Sequence, residues 1–259
     1  MSLVFRWIGS QVLGNVSALG GYALFCYRAI KACFFPLPKR FLVIQQMEFV
    51  GNRSLGIILL AGFMVGGIFG FQLGEIFRLF GAESLIGAST AFALSRELAP
   101  IVGSFLVTAR AGSAMAAELG TMKVNEQIDA IKVMAVNPYA YLVAPRLLGA
   151  IIMMPILATI FVLSGVFAAF IIGVLFYGID SADFFAKIRW MMETKDLWMG
   201  MQKSALFGFM FASIGCYQGF KTSGGAKGVG QATTVAVVTT YVTILVLDFF
   251  ITYMQFKGF

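Results

Sequence analysis

The longest stretch of the chain without a charged side chain, residues 147–178, decides what kind of protein this sequence can form. About 20 apolar residues are enough for a helix to cross the hydrocarbon core of a bilayer, so this run predicts a tilted transmembrane helix. Comparable runs predict further spans at about residues 55–73, 85–109, 203–220 and 232–254. The sequence therefore predicts an all-α integral membrane protein with five transmembrane helices.

Composition supports this class. Hydrophobic residues make up 59% of the 259 residues and charged ones only 12%, whereas soluble domains are about 45–50% apolar and about 25% charged. The net charge of +7 indicates cytoplasmic loops near anionic lipid rather than binding of nucleic acid. There is no histidine, and the three cysteines show no CxxC spacing. We therefore expect no metal site and no cofactor.

Residues 1–54 differ in character from the transmembrane domain, residues 55–259. The run Trp7–Tyr27 is uncharged and just long enough to span, but its glycine and polar residues favour an interfacial helix. Both alternatives stay open. Pro36 and Pro38 then break the chain, and Phe41–Val50 is predicted to be a short elbow helix that leads into the membrane.

The first span carries a ladder of glycines, Gly62, Gly66, Gly70 and Gly74. Small residues at every fourth position let two membrane helices approach closely, because packing replaces the hydrophobic effect as the force between helices in lipid. We expect a close helix contact here, within the subunit or at a dimer axis. Large apolar residues lie beside the ladder and are typical of a lipid-facing or core surface: Phe69, Ile76, Phe77 and Phe80.

Arg96 and Glu97 interrupt the second span and are followed by Pro100. A charge at the bilayer centre costs about 2.5–3.5 kcal/mol on insertion scales, so such residues face a partner or a wet cavity. The two residues could pair with each other, or form a helix-end pair with Arg110 or Asp248. Alternatively, they could line a polar opening that holds a lipid headgroup.

The segment after Arg110 predicts a short surface helix. The chain is expected to break at Gly120, with Thr121 as the N-cap of a helix over Val124–Val136 that stops at Asn137-Pro138. One face of this helix is apolar (Val124, Ile128, Ile131 and Met134) and another is polar (Asn125, Asp129 and Lys132). It could be an ordinary interfacial loop helix, or a coupling helix that docks into a groove on another subunit.

The distribution of lysine and arginine predicts the orientation. The segments Met1–Asn52, Arg110–Arg146 and Lys203–Lys227 are rich in them, so the elbow, the Arg110–Arg146 connection and the glycine-rich loop are assigned to the cytoplasm and the C-terminus to the outside. Residues Asp180–Asp196 are predicted to form a small helix on the outer membrane surface. Residues Lys221–Gln231 are predicted to be a glycine-rich cytoplasmic loop.

The sequence contains no recognisable catalytic chemistry. No Walker A sequence occurs, and Ser223–Gly230, although glycine-rich with one lysine, has the wrong spacing for a phosphate loop. Without histidine there is no Ser-His or Cys-His pair. We expect that the chain is not an enzyme and has no catalytic residues.

Several motifs occur in the order of a known family. RELAPIVGSFLVTARAGSAMAAELGTMKVNEQIDAIKVMAVNP, residues 96–138, resembles the signature of the MlaE/YrbE-type permeases of Mla and Mce lipid ABC transporters. GVGQATTVAVV from Gly228 and VLDFFIT around Asp248 extend the resemblance from about Arg53 to the C-terminus.

This resemblance implies a multi-pass permease in a bacterial inner membrane, working as a homodimer. It implies three further partners: a cytoplasmic ABC ATPase that hydrolyses ATP, a periplasmic MCE-domain protein and, in some assemblies, a small STAS-domain protein. The complex would move phospholipid, or a related hydrophobic molecule, between the inner membrane and the periplasm or outer membrane. An alternative is an ATP-independent scramblase or secondary carrier, against which stand the missing internal repeat and the coupling-like helix. A membrane-embedded acyl-transfer enzyme lacks a nucleophile and a base.

The resemblance also implies two sets of site residues. The lipid-binding set is Phe69, Ile76, Phe77, Phe80, Arg96, Glu97 and Leu98. The ATPase-coupling set is Val124, Glu126, Ile128, Asp129, Ile131 and Lys132.

Overall fold

The computed structural model describes the backbone of residues 2–35 and 38–257, and the side chains of residues 13, 16–35 and 38–257. Within these ranges the regular structure is entirely helical. The α-helices are α1 (Ser2–Phe34), α2 (Arg40–Val50), α3 (Leu55–Arg78), α4 (Ile86–Ala93), α5 (Ala99–Val107), α6 (Ser113–Val124), α7 (Gln127–Val133), α8 (Ala144–Leu175), α9 (Ser181–Met191), α10 (Thr194–Lys221) and α11 (Gly225–Lys257). Three π-helical turns, Leu94–Leu98, Thr108–Gly112 and Tyr139–Val143, connect α4 to α5, connect α5 to α6 and lead into α8.

The predicted all-α membrane class is confirmed. Among the described residues, four helical stretches are long and apolar enough to cross a bilayer: Arg40–Arg78, Glu83–Val124, Tyr139–Leu175 and Gly225–Lys257. The helix expected to be the fourth of five spans, α10, is not among them. It begins with polar residues and carries Lys203 inside the bundle.

The predicted close contact of the glycine ladder is also confirmed, and it lies within the subunit. All four ladder glycines are buried, and α3 packs against α8. A Cβ atom on Gly66 would lie 2.1 Å from the carbonyl oxygen of Gly165, and one on Gly62 would lie 2.6 Å from that of Phe161. Only glycine permits backbones to approach this closely.

The helices leave two distinct ends of the bundle. We call one the elbow end: there α2 packs against α8, and Glu118 pairs with Arg146. The other is the α9 end, where Phe184 of α9 is fully buried, and a Cβ on Gly87 of α4 would lie 2.5 Å from its ring. The predicted small helix within Asp180–Asp196 is thus confirmed as α9, and Asp180 caps its first turn.

Two predicted helix boundaries at the elbow end are wrong. The chain does not break at Gly120: α6 continues to Val124, so Thr121 lies inside a helix and caps nothing. The predicted glycine-rich loop shrinks to residues 222–224, because Gly224 and Gly225 adopt positive φ angles of 86° and 69° and complete the turn.

The N-terminal part is one long helix followed by the elbow. A helix, α2, lies where the elbow helix is predicted, and its role as an elbow into the membrane stays a prediction. The second half of α1 packs on the bundle, where Phe25 contacts the rings of Tyr139 and Tyr217 and Tyr22 is hydrogen-bonded to Ser213. Whether Trp7–Tyr27 spans the membrane stays open, and the predicted break at Pro36 lies outside the described residues.

Candidate functional site

The predicted polar interruption of the second span is built on a π-helical turn, Leu94–Leu98. Because Pro100 has no backbone N–H, it cannot continue the ordinary helical hydrogen bonds at this point. The helix α10 passes very close by: a Cβ on Gly200 would lie 2.0 Å from the carbonyl oxygen of Ser95. Wide turns of this kind are frequent at functional sites, because they re-aim side chains without ending the helix.

Glu97 is paired with Lys203 from α10. The ammonium Nζ of Lys203 donates to Glu97 Oε2 at 2.6 Å and to Thr252 Oγ1 at 2.6 Å. Asp248 Oδ1 lies 3.1 Å from the same nitrogen and accepts no hydrogen bond among the described residues, so charge alone holds it. The Lys203 side chain is 0% exposed, and two carboxylates therefore share one fully buried ammonium.

Arg96 points to a different partner. Its Nε and Nη2 atoms both lie 2.7 Å from Asp196 Oδ1, and its guanidinium lies over the Phe92 ring at 4.5 Å. Asp196 Oδ2 accepts a hydrogen bond from the backbone N–H of Glu193, which fixes the start of α10. Among the described residues, Arg96 does not pair with Glu97, and neither residue forms a helix-end pair with Arg110 or Asp248.

Both charged groups border one cavity of about 310 Å³ at the α9 end. Arg96 and Glu97 keep 25% and 36% of their side chains exposed, while their partners Asp196 and Lys203 are almost completely buried. The remaining wall comes from the helix ends around it: Phe92, Met191, Glu193, Lys195, Met199, Gln255 and Phe256. The arrangement presents fixed, paired charges to a ligand. It contains no nucleophile beside a base.

The apolar residues predicted to bind lipid do not meet this cavity within one chain. Leu98 packs against the main core, and Phe77 packs beside Phe184 of α9. Phe80, in the turn after α3, is 77% exposed, and Ile76 is 50% exposed on α3 itself. The half-buried Phe69 lies on the same helix. Their role in lipid binding stays a prediction.

The predicted coupling helix is shorter than expected, and its apolar face points into its own chain instead of outward. It is α7, seven residues long, preceded by Glu126 in a left-handed conformation with φ 58°. Ile128 is 1% exposed and Ile131 packs against the main core, so the apolar stripe of α7 faces its own chain. Val124 belongs to α6 instead.

Salt bridges hold α7 from its polar side. Asp129 accepts from Lys123 and Lys132, each at 2.7 Å, and these hydrogen bonds lower the pKa of the Asp129 carboxyl to about 2. The last residue of α7 and the turn that follows expose three apolar side chains, Val133 (88%), Met134 (66%) and Val136 (42%).

A family model, Permease MlaE, matches residues 43–254. Similar sequences include a probable ABC transporter permease protein of Rickettsia conorii, 36% identical over 250 residues and covering 96% of each chain. The intermembrane phospholipid transport system permease protein MlaE of Haemophilus influenzae is 34% identical over 258 residues, covering 95% of this chain and 99% of its own length. The chain belongs to the MlaE permease family.

The MlaE family match begins at residue 43, earlier than the motif resemblance, and so includes most of α2. A chloroplast relative from Arabidopsis thaliana, Protein TRIGALACTOSYLDIACYLGLYCEROL 1, is 38% identical over 215 residues, covering 83% of this chain and 61% of its own length. Membership makes the chain a permease subunit of a transporter rather than an enzyme by family.

Sequence reasoning missed Lys203, Asp196 and Thr252 as parts of the site. The sequence places Lys203 at the start of the predicted fourth span and counts it with a lysine- and arginine-rich segment, but the structure buries it beside the second span. The available signal was its setting: a single lysine between Gly200 and Ser204, both of which are buried. Small residues on both sides of a single charged residue in a helix indicate that another helix packs closely against it there.

Proposed function

We propose that two copies of this chain form the membrane core of a phospholipid ABC transporter in the inner membrane of a didermic bacterium. The elbow end would face the cytoplasm and bind the ATPase, with a STAS-domain protein as an optional further subunit. The α9 end would face the periplasm and an MCE-domain protein. Three findings support this arrangement: the family, the phospholipid transport system to which the Haemophilus relative belongs, and the basic residues at the elbow end.

The observation that carries the proposal is the buried Lys203 that joins Glu97 and Asp248 beside the α9-end cavity. A lysine fully buried in a membrane bundle is costly unless it is paired, and such residues mark substrate pathways. The exposed part of Arg96 can attract a lipid phosphate, because guanidinium and phosphate form strong charge-assisted hydrogen bonds. In the homodimer, the exposed surface formed by Ile76 of α3 and by Phe80 in the turn after it would supply the apolar wall for the acyl chains.

The geometry of α7 supports a role in coupling. Ile128 packs in the main core and so anchors this short helix, and Asp129 forms an ion pair with Lys123 at the end of α6. If the ATPase displaced the exposed Val133 and Met134, α7 would therefore move as a unit and transmit the displacement to the second span. We propose these two side chains as the knob that enters a groove on the ATPase.

Transport by reconstituted complex tests the main proposal. The chain is purified with its native partners, its bound lipids and subunits are identified by mass spectrometry, and ATP-dependent lipid transfer is measured in proteoliposomes. We expect Glu97→Gln to leave assembly intact, because Asp248 still pairs with Lys203, and to change lipid occupancy or transfer. Transfer that proceeds equally without ATP, in a preparation without an ATPase, would establish the scramblase alternative instead.

Two variants separate coupling from folding. Val133→Asp with Met134→Asp should weaken ATPase association at least tenfold while the chain keeps its melting temperature, because both side chains are exposed. Ile128→Asp, in contrast, places a carboxylate in the core and should lower the yield of folded chain. Full ATPase association in the double variant would refute the assignment of the knob.

A further inference from the structure

A second cavity, of about 400 Å³, lies at the elbow end between α2, α6 and the start of α8. Neither the lipid-binding set nor the coupling set contains its residues. Six polar side chains line it: Gln45, Gln46, Glu48, Arg53, Glu118 and Arg146.

The inner wall of this cavity is rigid and incompletely paired. Arg146 is 8% exposed; it donates to Glu118 at 2.9 Å and to the Leu142 carbonyl at 2.7 Å, but its Nε has no hydrogen-bond partner among the described residues. The buried Oε1 atom of Gln46 has none either. Gly149 lets α2 and α8 meet closely here, since a Cβ on it would lie 2.9 Å from that of Gln46. Both of these unpaired atoms are buried behind the cavity wall, so contacts with a ligand fall to the exposed side chains at the cavity's mouth.

The mouth of the cavity carries one charge of each sign. Neither Arg53 nor Glu48 forms an ion pair with any side chain that the structure describes. The Arg53 guanidinium instead lies over the Phe49 ring at 5.7 Å, while Arg110 lies 4.9 Å from the same ring. Because Glu118 already pairs with Arg146, the two mouth charges are free for a ligand. A zwitterionic ligand matches these two charges better than a simple anion does, because the Glu48 carboxylate would repel an anion.

The surroundings indicate a lipid. On α2, next to the cavity, Phe41 and Ile44 are 74% and 62% exposed. This helix therefore presents an exposed apolar surface beside the charged opening of the cavity. Such a boundary belongs at the level where acyl chains give way to headgroups. A ligand held here would keep its head in the cavity and its chains along α2.

We propose that the elbow-end cavity binds the headgroup of a zwitterionic glycerophospholipid of the phosphoethanolamine type. The phosphate oxygens accept from the exposed Arg53 guanidinium, and the ammonium donates to the exposed Glu48 carboxylate. This site goes beyond the transport proposed above and does not depend on the cluster around Lys203.

Native mass spectrometry of the detergent-purified chain tests this site. Binding of phosphatidylethanolamine, phosphatidylglycerol and free phosphoethanolamine is compared in the wild type, Arg53→Gln and Glu48→Gln. Arg40→Gln is the matched control, because Arg40 is an exposed arginine at the start of α2 that does not line the cavity. We expect Arg53→Gln to weaken phosphatidylethanolamine binding about tenfold, with Arg40→Gln unchanged. Glu48→Gln should abolish the preference for phosphatidylethanolamine over phosphatidylglycerol.

Three outcomes would overturn the proposal. The first is equal phosphatidylethanolamine binding by Arg53→Gln and Arg40→Gln. The second is a wild type that shows no preference between the two lipids, which would indicate a site for anions alone. The third is free phosphoethanolamine competing as well as the whole lipid, which would make a soluble phosphate compound the ligand. Glu97→Gln should leave this binding intact, so failure of the transport proposal and failure of this site are distinguishable.

Discussion

Replacing Lys203 by methionine tests the reasoning about the buried charge cluster most directly. Methionine nearly fills the same space but has no charge, so Glu97 and Asp248 would remain as two carboxylates without their cation. Asp248 keeps only 14% of its side chain exposed, and Lys203 none. Breaking a buried ion pair by removing one partner costs about 3–5 kcal/mol, because the other charge stays desolvated. Glu97 is 36% exposed and can be hydrated from the cavity. We therefore expect Lys203→Met to lower the free energy of unfolding by an amount in the lower half of that range.

The assay is denaturant titration of the purified chain in mixed micelles, followed by tryptophan fluorescence. Lys221→Met is the control, because it makes the same substitution on the same helix at an exposed position. The triple variant Lys203→Met, Glu97→Gln, Asp248→Asn removes all three charges together and should recover much of the lost free energy of unfolding. If Lys203→Met destabilises the chain no more than Lys221→Met does, the cluster is not a buried ion pair and the argument is refuted.

Three further predictions concern the rest of the fold. Gly66→Leu should prevent α3 from packing on α8 and reduce the yield of folded chain severely, whereas Gly56→Leu, with open space around its Cβ position, should be tolerated; normal yields for both would contradict the close contact. Phe184→Ala should cost about 3–5 kcal/mol by leaving a cavity under α9, while Phe185→Ala at a 48% exposed position should cost much less in the same denaturant titration. The pKa of Asp129 is lowered in the folded chain, so its contribution is complete above its ordinary value near 3.8 and is lost as the pH falls toward about 2. The protection factors of the α7 amides, which are hydrogen-exchange rates corrected for the intrinsic effect of pH, should fall over that interval. Unchanged protection factors down to pH 2 would show that the two lysine bonds do not order this helix.

The sequence alone determined the class of the protein and much of its helix packing. Uncharged runs such as residues 147–178 leave few alternatives to membrane helices, because unsatisfied backbone groups are too costly in lipid. The ladder from Gly62 to Gly74 predicted a close contact, since the spacing of small residues is a local property of one helix. The family motifs around Arg96 likewise lie in one continuous segment, and the family match confirmed them.

Only the tertiary structure decided which charges meet and which way the amphipathic helix faces. Arg96 and its partner Asp196 are 100 residues apart in sequence, and Glu97 and Thr252 are 155 apart. No local pattern encodes such pairs, because they depend on how α10 and α11 are arranged around the second span. The apolar stripe that contains Ile128 and Ile131 is visible in the sequence. The same sequence pattern occurs whether the stripe packs against a partner protein or against the chain's own core, so the pattern cannot distinguish the two. The choice was made by the left-handed turn at Glu126, which folds α7 back onto the bundle and leaves Val133 and Met134 outside.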